Sequence, residues 1–193
     1  MAGPPRSTAT WIRRPPGPVL AVAALAAALV LMWGTSVPTG DFDITMYAVL
    51  AGAAVCAGWL LRTLCSVITT RRVSWWVPVV PVIVVGCLTV TSLDLPLRLR
   101  FGLAQDDFDR VVAAVSQEVD FDHPRGGHVG SYRVDSIEGH GHNVYFFIHG
   151  SGFLSSGGFA HLPSGPPATA DPIGESVTTT PLAGPWHVFS TSW

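Results

Sequence analysis

Three long apolar stretches occupy the first half of the chain, and they limit its possible folds more than any other feature. The stretches run from about Val19 to Trp33, from Ile44 to Leu61 and from Trp75 to Leu93. A bilayer core about 30 Å thick is crossed by a helix of roughly 17–25 apolar residues. Only Asp41 and Asp43 carry a charge between Val19 and Leu61. The pattern predicts a transmembrane anchor of three helices, at about 18–33, 44–61 and 75–93, after an N-terminal tail at 1–17.

The ends of these stretches favour a helix start or a membrane interface. The run from Pro15 to Pro18 places the first helix start, because proline is tolerated only in the first turn of a helix. The second helix can extend towards Ile68 if Arg62 reaches the interface with its long side chain. No Ala-x-Ala site follows the first stretch, and two more apolar stretches do. We therefore expect the first stretch to be retained rather than cleaved as a signal peptide.

The arginines predict the orientation of the helices. Six of the eleven lie in the tail or around the loop between the second and third stretches, whereas the loop at 34–43 holds two aspartates and no arginine. Because cytoplasmic loops carry an excess of basic residues, we expect the tail and the second loop in the cytoplasm. Arg98 and Arg100 follow the third stretch and oppose this assignment, but they are outnumbered. The prediction is a multi-pass protein of the cell membrane with an extracytoplasmic domain at 94–193.

The distribution of charge excludes some classes of function. The domain at 94–193 has five arginines against eleven acidic residues, which argues against nucleic acid as a partner. The predicted spans have no Asp, Glu, Lys or His near their centres, as a transporter or a proton pathway would need. The helices are expected to act as an anchor. The expected partners are the lipid bilayer and another membrane or cell-envelope protein.

The outward domain is predicted to be α+β, with one amphipathic helix and a small antiparallel sheet. Leu95 to Phe101 alternates apolar and polar residues, which predicts an extended segment. A helix follows, because its apolar residues share one face. Asp106 and Asp107 suit the start of this helix, which is expected to end near Asp120. Its apolar face consists of Phe108, Val111, Val112, Val115 and Val119.

The later segments of the domain have the character of strands and turns. Asn143 to His149 is apolar on both faces, which predicts a central, buried strand. Gly139 to Gly141 offers a turn to a preceding strand at Val129–Ile137. Residues 163–180, rich in Pro, Gly, Ser and Thr, are expected to form a long loop. Short strands are predicted at Phe153–Leu154 and Phe159–Leu162, split by residues 155–158, and a final strand at Trp186–Phe189.

All seven histidines lie in the outward domain, and they suggest a metal site as an alternative to a surface role. His140 and His142 share one face if their segment is extended, an arrangement that can chelate a metal. His128 or His123, with an acid such as Asp122, can supply further ligands. The predicted metal ligands are His140, His142 and His128. The cysteines Cys56, Cys65 and Cys87 lie in or beside the apolar stretches and are expected to fill space between helices. No cofactor is predicted.

His149-Gly150-Ser151-Gly152-Phe153 follows an apolar strand and locally resembles the His-Gly-Gly-Gly oxyanion-hole segment of α/β-hydrolases. No Gly-x-Ser-x-Gly nucleophile elbow follows it, and the chain that remains is too short for the rest of that fold. We therefore expect a glycine-rich turn and no catalytic residue.

Several segments are similar to those of uncharacterised small multi-pass membrane proteins of actinobacteria. The resemblance rests on a Leu-Arg-Phe start of the domain at Leu99 to Phe101, a Gly-Phe-Ala strand at 158–160, a Pro-rich segment at 163–167 and the terminal residues 184–193. It implies N-terminal spans followed by a C-terminal extracytoplasmic domain, and no known activity.

Two hypotheses of function follow. The first is a membrane-anchored interaction or sensing module, with a pH sensor as a variant because of the seven histidines. The second is a membrane-tethered, metal-dependent hydrolase that uses the histidines of the C-terminal domain.

Overall fold

The structure, a computed structural model, describes residues 17–70, 75–115, 120–123, 126–151, 155–166 and 176–192. Within these residues the fold is α+β, as predicted. The helices are α1 (Pro18–Gly34), α2 (Phe42–Thr70), α3 (Val79–Ser92) and α4 (Leu95–Val115). The strands are β1 (Asp120–His123), β2 (Gly127–Val129), β3 (Tyr132–His140), β4 (Asn143–Ile148), β5 (Ser155–His161), β6 (Ser176–Ala183) and β7 (Trp186–Ser192).

The chain folds into two compact units. The helical unit comprises Met1–Met32 and Met46–Ser92, and the sheet domain comprises Trp33–Thr45 and Leu93–Trp193. The predicted start of the domain, at residue 94, is close to the observed one. The segment Trp33–Thr45, which we call the inserted segment, was not expected in the sheet domain, because it lies between the first two apolar helices in sequence.

The helical unit contains fewer candidate membrane spans than the three predicted. Among the described residues, only Phe42–Ile68 within α2 is long and apolar enough to cross a bilayer. Two candidates result if α3 and α4 count as one broken span. Helices α1 and α3 do not qualify because they are too short. They have 17 and 14 residues, which is about 25 Å and 21 Å of helix. Residues Trp75–Pro78 form a turn before α3 rather than its first turns.

Small side chains line the contact between helices of the helical unit. Ala28 on α1, Ala48 on α2 and Cys87 on α3 are buried, and the Cys87 thiol donates to the Ala28 carbonyl oxygen at 3.7 Å. This supports the expectation that cysteines fill space between helices. Helix α2 extends past Ile68, as predicted, and Arg62 within it is buried.

Helix α4 begins earlier than the sequence predicted. The segment Leu95–Phe101 is helical, and Asp106 and Asp107 lie inside the helix rather than at its start. The reason is a helical spacing of four, three and four residues that the alternating pattern concealed. This spacing places four apolar residues on one face, all of them buried: Leu97, Phe101, Ala104 and Phe108. The helix was expected to end near Asp120, which is instead the first residue of β1; residues 116–119 lie outside the described part of the chain.

All the strands belong to one antiparallel sheet. The order is β1-β3-β4-β5-β7-β6, and β2 also pairs with β3. Because β4 pairs along the other edge of β3, β1 and β2 follow one another along the same edge. Strand β4 is therefore central, which confirms the prediction for Asn143–His149, and the turn at Gly141 links it to β3.

Strand β4 is apolar on both faces because both faces are covered. Its residues Val144, Phe146 and Ile148 belong to the core that α4 packs against. Tyr145 packs on the opposite face in a second cluster with Phe189 of β7. The period of two in a strand produces this division.

The core between α4 and the sheet is mainly aromatic. The Phe108 ring lies 5.0 Å from the Phe146 ring and 5.7 Å from the Trp186 ring, and the Phe101 ring lies 4.7 Å from the Phe159 ring. All five side chains are at most 1% exposed. Burying each one stabilises the fold by about 2–3 kcal/mol before the entropy cost is counted.

Strand β5 begins in residues that were expected to interrupt the strands. Ser155 to Gly158 pairs with β7 over its whole length. Glycine is required at 158, because a Cβ atom there would lie 1.8 Å from the Phe146 carbonyl oxygen. The predicted loop at 163–180 is wrong at its end, because β6 starts at Ser176. Strand β7 confirms the final strand, and Phe153–Leu154 lies outside the described residues.

Candidate functional site

A polar cavity of about 170 Å³ lies within the sheet domain, where the inserted segment meets α4, β2, β3 and the end of β4. We call it the arginine cavity. Its walls combine aromatic and aliphatic residues with arginines, histidines and one carboxylate. The lining residues are Trp33, Val37, Asp41, Ile44, Arg100, His128, Ser131, Tyr132, Arg133, Ile148 and His149.

The inserted segment turns tightly before it starts α2. The backbone N–H of Asp41 donates to the Gly34 carbonyl oxygen at 2.8 Å. The Asp41 side chain accepts from the Ile44 N–H at 3.0 Å, so this residue caps α2. Asp41 also forms an antiparallel bridge with Ser151, which follows β4. The segment is therefore bonded to its own turn and to the sheet.

Arg100 of α4 makes the densest set of contacts in the cavity. Its guanidinium carbon lies 4.7 Å from the centre of the Trp33 ring and 4.3 Å from that of the Tyr132 ring. The guanidinium donates to the Ser36 hydroxyl at 2.8 Å, to the Ser131 hydroxyl at 3.0 Å and to the Ser131 carbonyl at 2.6 Å. Cation–π contacts and hydrogen bonds together fix the plane of the guanidinium.

Tyr132 adds a second bond to the inserted segment. Its hydroxyl donates to the Ser36 carbonyl oxygen at 3.2 Å, and its side chain is fully buried. Burial raises the pKa of Tyr132 far above its usual value, and the nearby Arg100 charge offsets only part of this effect. The phenol is therefore neutral and acts as a hydrogen-bond donor.

The open side of the cavity carries side chains with free bonding capacity. Arg133 of β3 is exposed, and among the described residues its guanidinium has no hydrogen-bond or ion-pair partner. The His149 Nδ1 atom lies 3.0 Å from the Asp135 Oδ1 atom, and both side chains are 53% exposed. His128 of β2 is also exposed.

The metal candidates predicted from the sequence are not brought together. His128 pairs with Arg133 near the start of β3, whereas His140 is the last residue of that strand. Seven residues at about 3.3 Å each separate the two positions by roughly 23 Å. His142 lies in the turn after β3 rather than on its extended face. The described residues hold no group of three or more His, Cys, Asp or Glu side chains that could bind a metal.

Ser151 has a structural role in the segment that resembles an oxyanion hole. Its hydroxyl oxygen lies 2.7 and 2.8 Å from the carbonyl oxygens of Ile148 and Gly157, to one of which its single proton is donated, and it accepts from the Gly157 N–H at 3.0 Å. These bonds join the end of β4 to β5. The expected glycine-rich turn is present at Gly150, which has a φ of 78°.

A separate polar group lies beside the aromatic core. The Trp186 indole donates to the Asp109 carboxylate at 3.0 Å, and the His161 ring lies 5.0 Å from the Trp186 ring. Among the described residues, His161 Nδ1 is buried without a hydrogen-bond partner. Burial lowers the pKa of His161, and the Asp109 charge opposes this effect in part.

Of the residues that line the arginine cavity, the sequence singled out His128 and His149, and for other roles. Trp33 was predicted only as the end of the first apolar stretch, and Arg100 only as a basic residue after the third. The signal available was an arginine inside an apolar helical period, at Leu97, Arg100, Phe101 and Ala104, together with two polar turns rich in Ser and Gly. Comparisons with family models, with curated proteins and with solved structures find no match to this chain.

Proposed function

We propose that the protein is a membrane-anchored binding module, in which the helical unit lies in the bilayer and the sheet domain recognises a ligand or partner outside the cytoplasm. The observation that carries this proposal is the membership of the inserted segment in the sheet domain. The chain leaves the helical unit after Met32, returns to it at Met46 and leaves it again after Ser92.

These connections suit a membrane topology. The chain between Met46 and Ser92 departs from the sheet domain and comes back to it, as a helical hairpin that begins and ends on one side of a bilayer would. The inserted segment and residues after 93 then share one face, and the N-terminal tail lies on the other. Arginine placement supports the outer face for the sheet domain.

The surface of the helical unit supports burial in lipid. Large apolar side chains are exposed on each of its helices, among them Val22 at 66%, Ile68 at 78% and Val82 at 68%. So many large exposed apolar side chains are unfavourable in water. In this arrangement α2 spans the bilayer, and the shorter α1 and α3 cross it with local thinning of the lipid.

The arginine cavity supports a binding role for the sheet domain. It combines aromatic walls with charged groups that have unused donors, whereas the described residues contain no group of three or more His, Cys, Asp or Glu side chains that could hold a metal. No observation favours the hydrolase alternative. The resemblance to small actinobacterial membrane proteins implies the same order of N-terminal spans and C-terminal domain.

Extraction of membranes tests the anchoring. We expect the full chain to stay in the membrane pellet after treatment with alkaline carbonate and to be released by detergent. A peripheral protein would be released by carbonate alone, which would refute the anchor. A chain that lacks residues 1–92 would not be a suitable control, because the inserted segment belongs to the sheet domain.

A further inference from the structure

We propose that the arginine cavity binds a phosphate group at the membrane surface. The proposal rests on the binding module proposed above and names the chemistry of its ligand. The phosphate can belong to a phospholipid headgroup or to a small soluble phosphate ester, and the experiment below separates these sources.

The charges around the cavity favour an anion. Two arginines, Arg100 and Arg133, face a single lining carboxylate, that of Asp41. Arginine is protonated at any physiological pH. The sheet domain is acidic as a whole, with five arginines against eleven acids after residue 93. The cavity therefore has a positive local charge within a domain whose net charge is negative.

The Asp41 carboxylate already accepts a hydrogen bond from the backbone. One Asp41 oxygen accepts the Ile44 N–H at 3.0 Å and caps the first turn of α2. A carboxylate engaged in this way is stabilised by the helix start, so it competes less for the arginines. No bond between Asp41 and either arginine is present among the described residues.

The donors are arranged before a ligand arrives. Arg100 is held by contacts with the Trp33 and Tyr132 rings, and three of its donors go to Ser36 and Ser131. A guanidinium has five N–H donors, so two remain. Arg133 retains all of its donors among the described residues. Guanidinium groups match phosphate oxygens through paired hydrogen bonds, and fixed groups lose little entropy on binding.

The position of the cavity favours a ligand at a membrane surface. Trp33 and Ile44 line it, and they lie at the end of α1 and the start of α2, the helices proposed to enter the bilayer. A phosphate bound here would contact the inserted segment and strand β3 together. Binding would therefore strengthen the attachment of the inserted segment to strand β3.

Titration of the full chain in uncharged detergent micelles tests this proposal. The probes are inorganic phosphate, dihexanoyl phosphatidic acid and, as a lipid without phosphate, dihexanoylglycerol. Arg133→Gln is the test variant, because this exposed side chain has no structural bond among the described residues. Arg110→Gln is the matched control, since Arg110 is an exposed arginine of α4 outside the cavity that pairs with Asp107. Calorimetry measures binding, and thermal unfolding without ligand verifies that both variants are folded.

We expect Arg133→Gln to weaken phosphate binding at least about tenfold, the usual effect of losing a charge-assisted bond, and Arg110→Gln to change it less than about twofold. Binding of inorganic phosphate identifies a soluble ligand, and binding of phosphatidic acid alone identifies a headgroup; both support the proposal. Absence of binding to both probes, equal effects of the two variants, or equal binding of dihexanoylglycerol would overturn it. Carbonate extraction is independent of these titrations, so the anchor can stand if the ligand assignment fails.

Discussion

Arg100 links the inserted segment to the rest of the sheet domain. Its guanidinium lies over both the Trp33 ring and the Tyr132 ring, and it bonds to Ser36. A single side chain thus joins a segment near residue 36 to α4 and β3. Because a guanidinium can combine stacking with several directed bonds, lysine would not replace it.

We predict that Arg100→Gln lowers the free energy of unfolding of the sheet domain by about 1–3 kcal/mol, from lost cation–π contacts and charge-assisted bonds. Arg98→Gln is the control, because within the described part of the chain exposed Arg98 makes a single side-chain hydrogen bond, to the Leu182 carbonyl. Thermal unfolding in micelles measures both. Equal shifts in the two variants would show that Arg100 does not hold the segment.

His161 is predicted to make stability depend on pH. Burial lowers its pKa in the folded protein, so the unfolded chain takes up the proton first, near its ordinary value of about 6.5. The stability is therefore complete above about pH 6.5 and is lost as the pH falls through the folded pKa. The midpoint temperature of thermal unfolding should decrease as the pH is lowered from about 6.5 to about 5. The substitution His161→Gln should reduce this dependence of the midpoint on pH. His142→Gln, in an exposed turn, should leave it unchanged. An unaltered pH dependence in His161→Gln would refute this role.

At the level of elements, α4 organises the core through one face. Phe101 and Phe108 contact aromatic rings from the sheet, whereas Leu103 on the same helix is 89% exposed. Residue 130 shows how closely the helix approaches the sheet domain's loops. A Cβ atom on Gly130, which has a φ of 56°, would lie 2.7 Å from the Ala104 Cβ atom.

We predict that Phe108→Ala lowers the free energy of unfolding by about 3–5 kcal/mol, because it leaves a cavity under the sheet. As a matched control on the same helix, Leu103→Ala should change the free energy of unfolding by less than about 0.5 kcal/mol. Denaturant unfolding of the purified chain compares the two. Similar losses would mean that α4 does not pack through this face.

Some elements could be predicted from the sequence and others could not. Strand β4 was predictable, because five consecutive apolar residues suit only a strand covered on both faces. The first half of α4 was not, since Leu95 to Phe101 satisfies both a period of two and a helical spacing. The start of β5 was missed because Ser and Gly have low strand propensity, and pairing with β7 overrides that preference.

At the level of the whole molecule, the inserted segment joins the two halves of the sequence. Its contacts with Arg100, Tyr132 and Ser151 span about 60 to 110 residues of chain. No local pattern reports contacts of this range. The helical spacing that includes Arg100 indicates a position beside the core, but it does not show that the inserted segment completes the arginine cavity. The division into an apolar half and a polar domain could be predicted, because it follows from composition alone.

We propose that the inserted segment and the rest of the sheet domain share the outer face of a membrane. Labelling of single cysteines with a membrane-impermeant thiol reagent tests it most directly, in a chain whose Cys56, Cys65 and Cys87 are replaced by alanine. The test positions are Thr39→Cys in the inserted segment and His142→Cys in the turn after β3, both exposed, with Arg72→Cys between the second and third apolar stretches. We predict that Thr39→Cys and His142→Cys are labelled in intact cells and that Arg72→Cys is labelled only after permeabilisation. Labelling of Thr39→Cys and His142→Cys from opposite sides, or of Arg72→Cys alone in intact cells, would contradict the account.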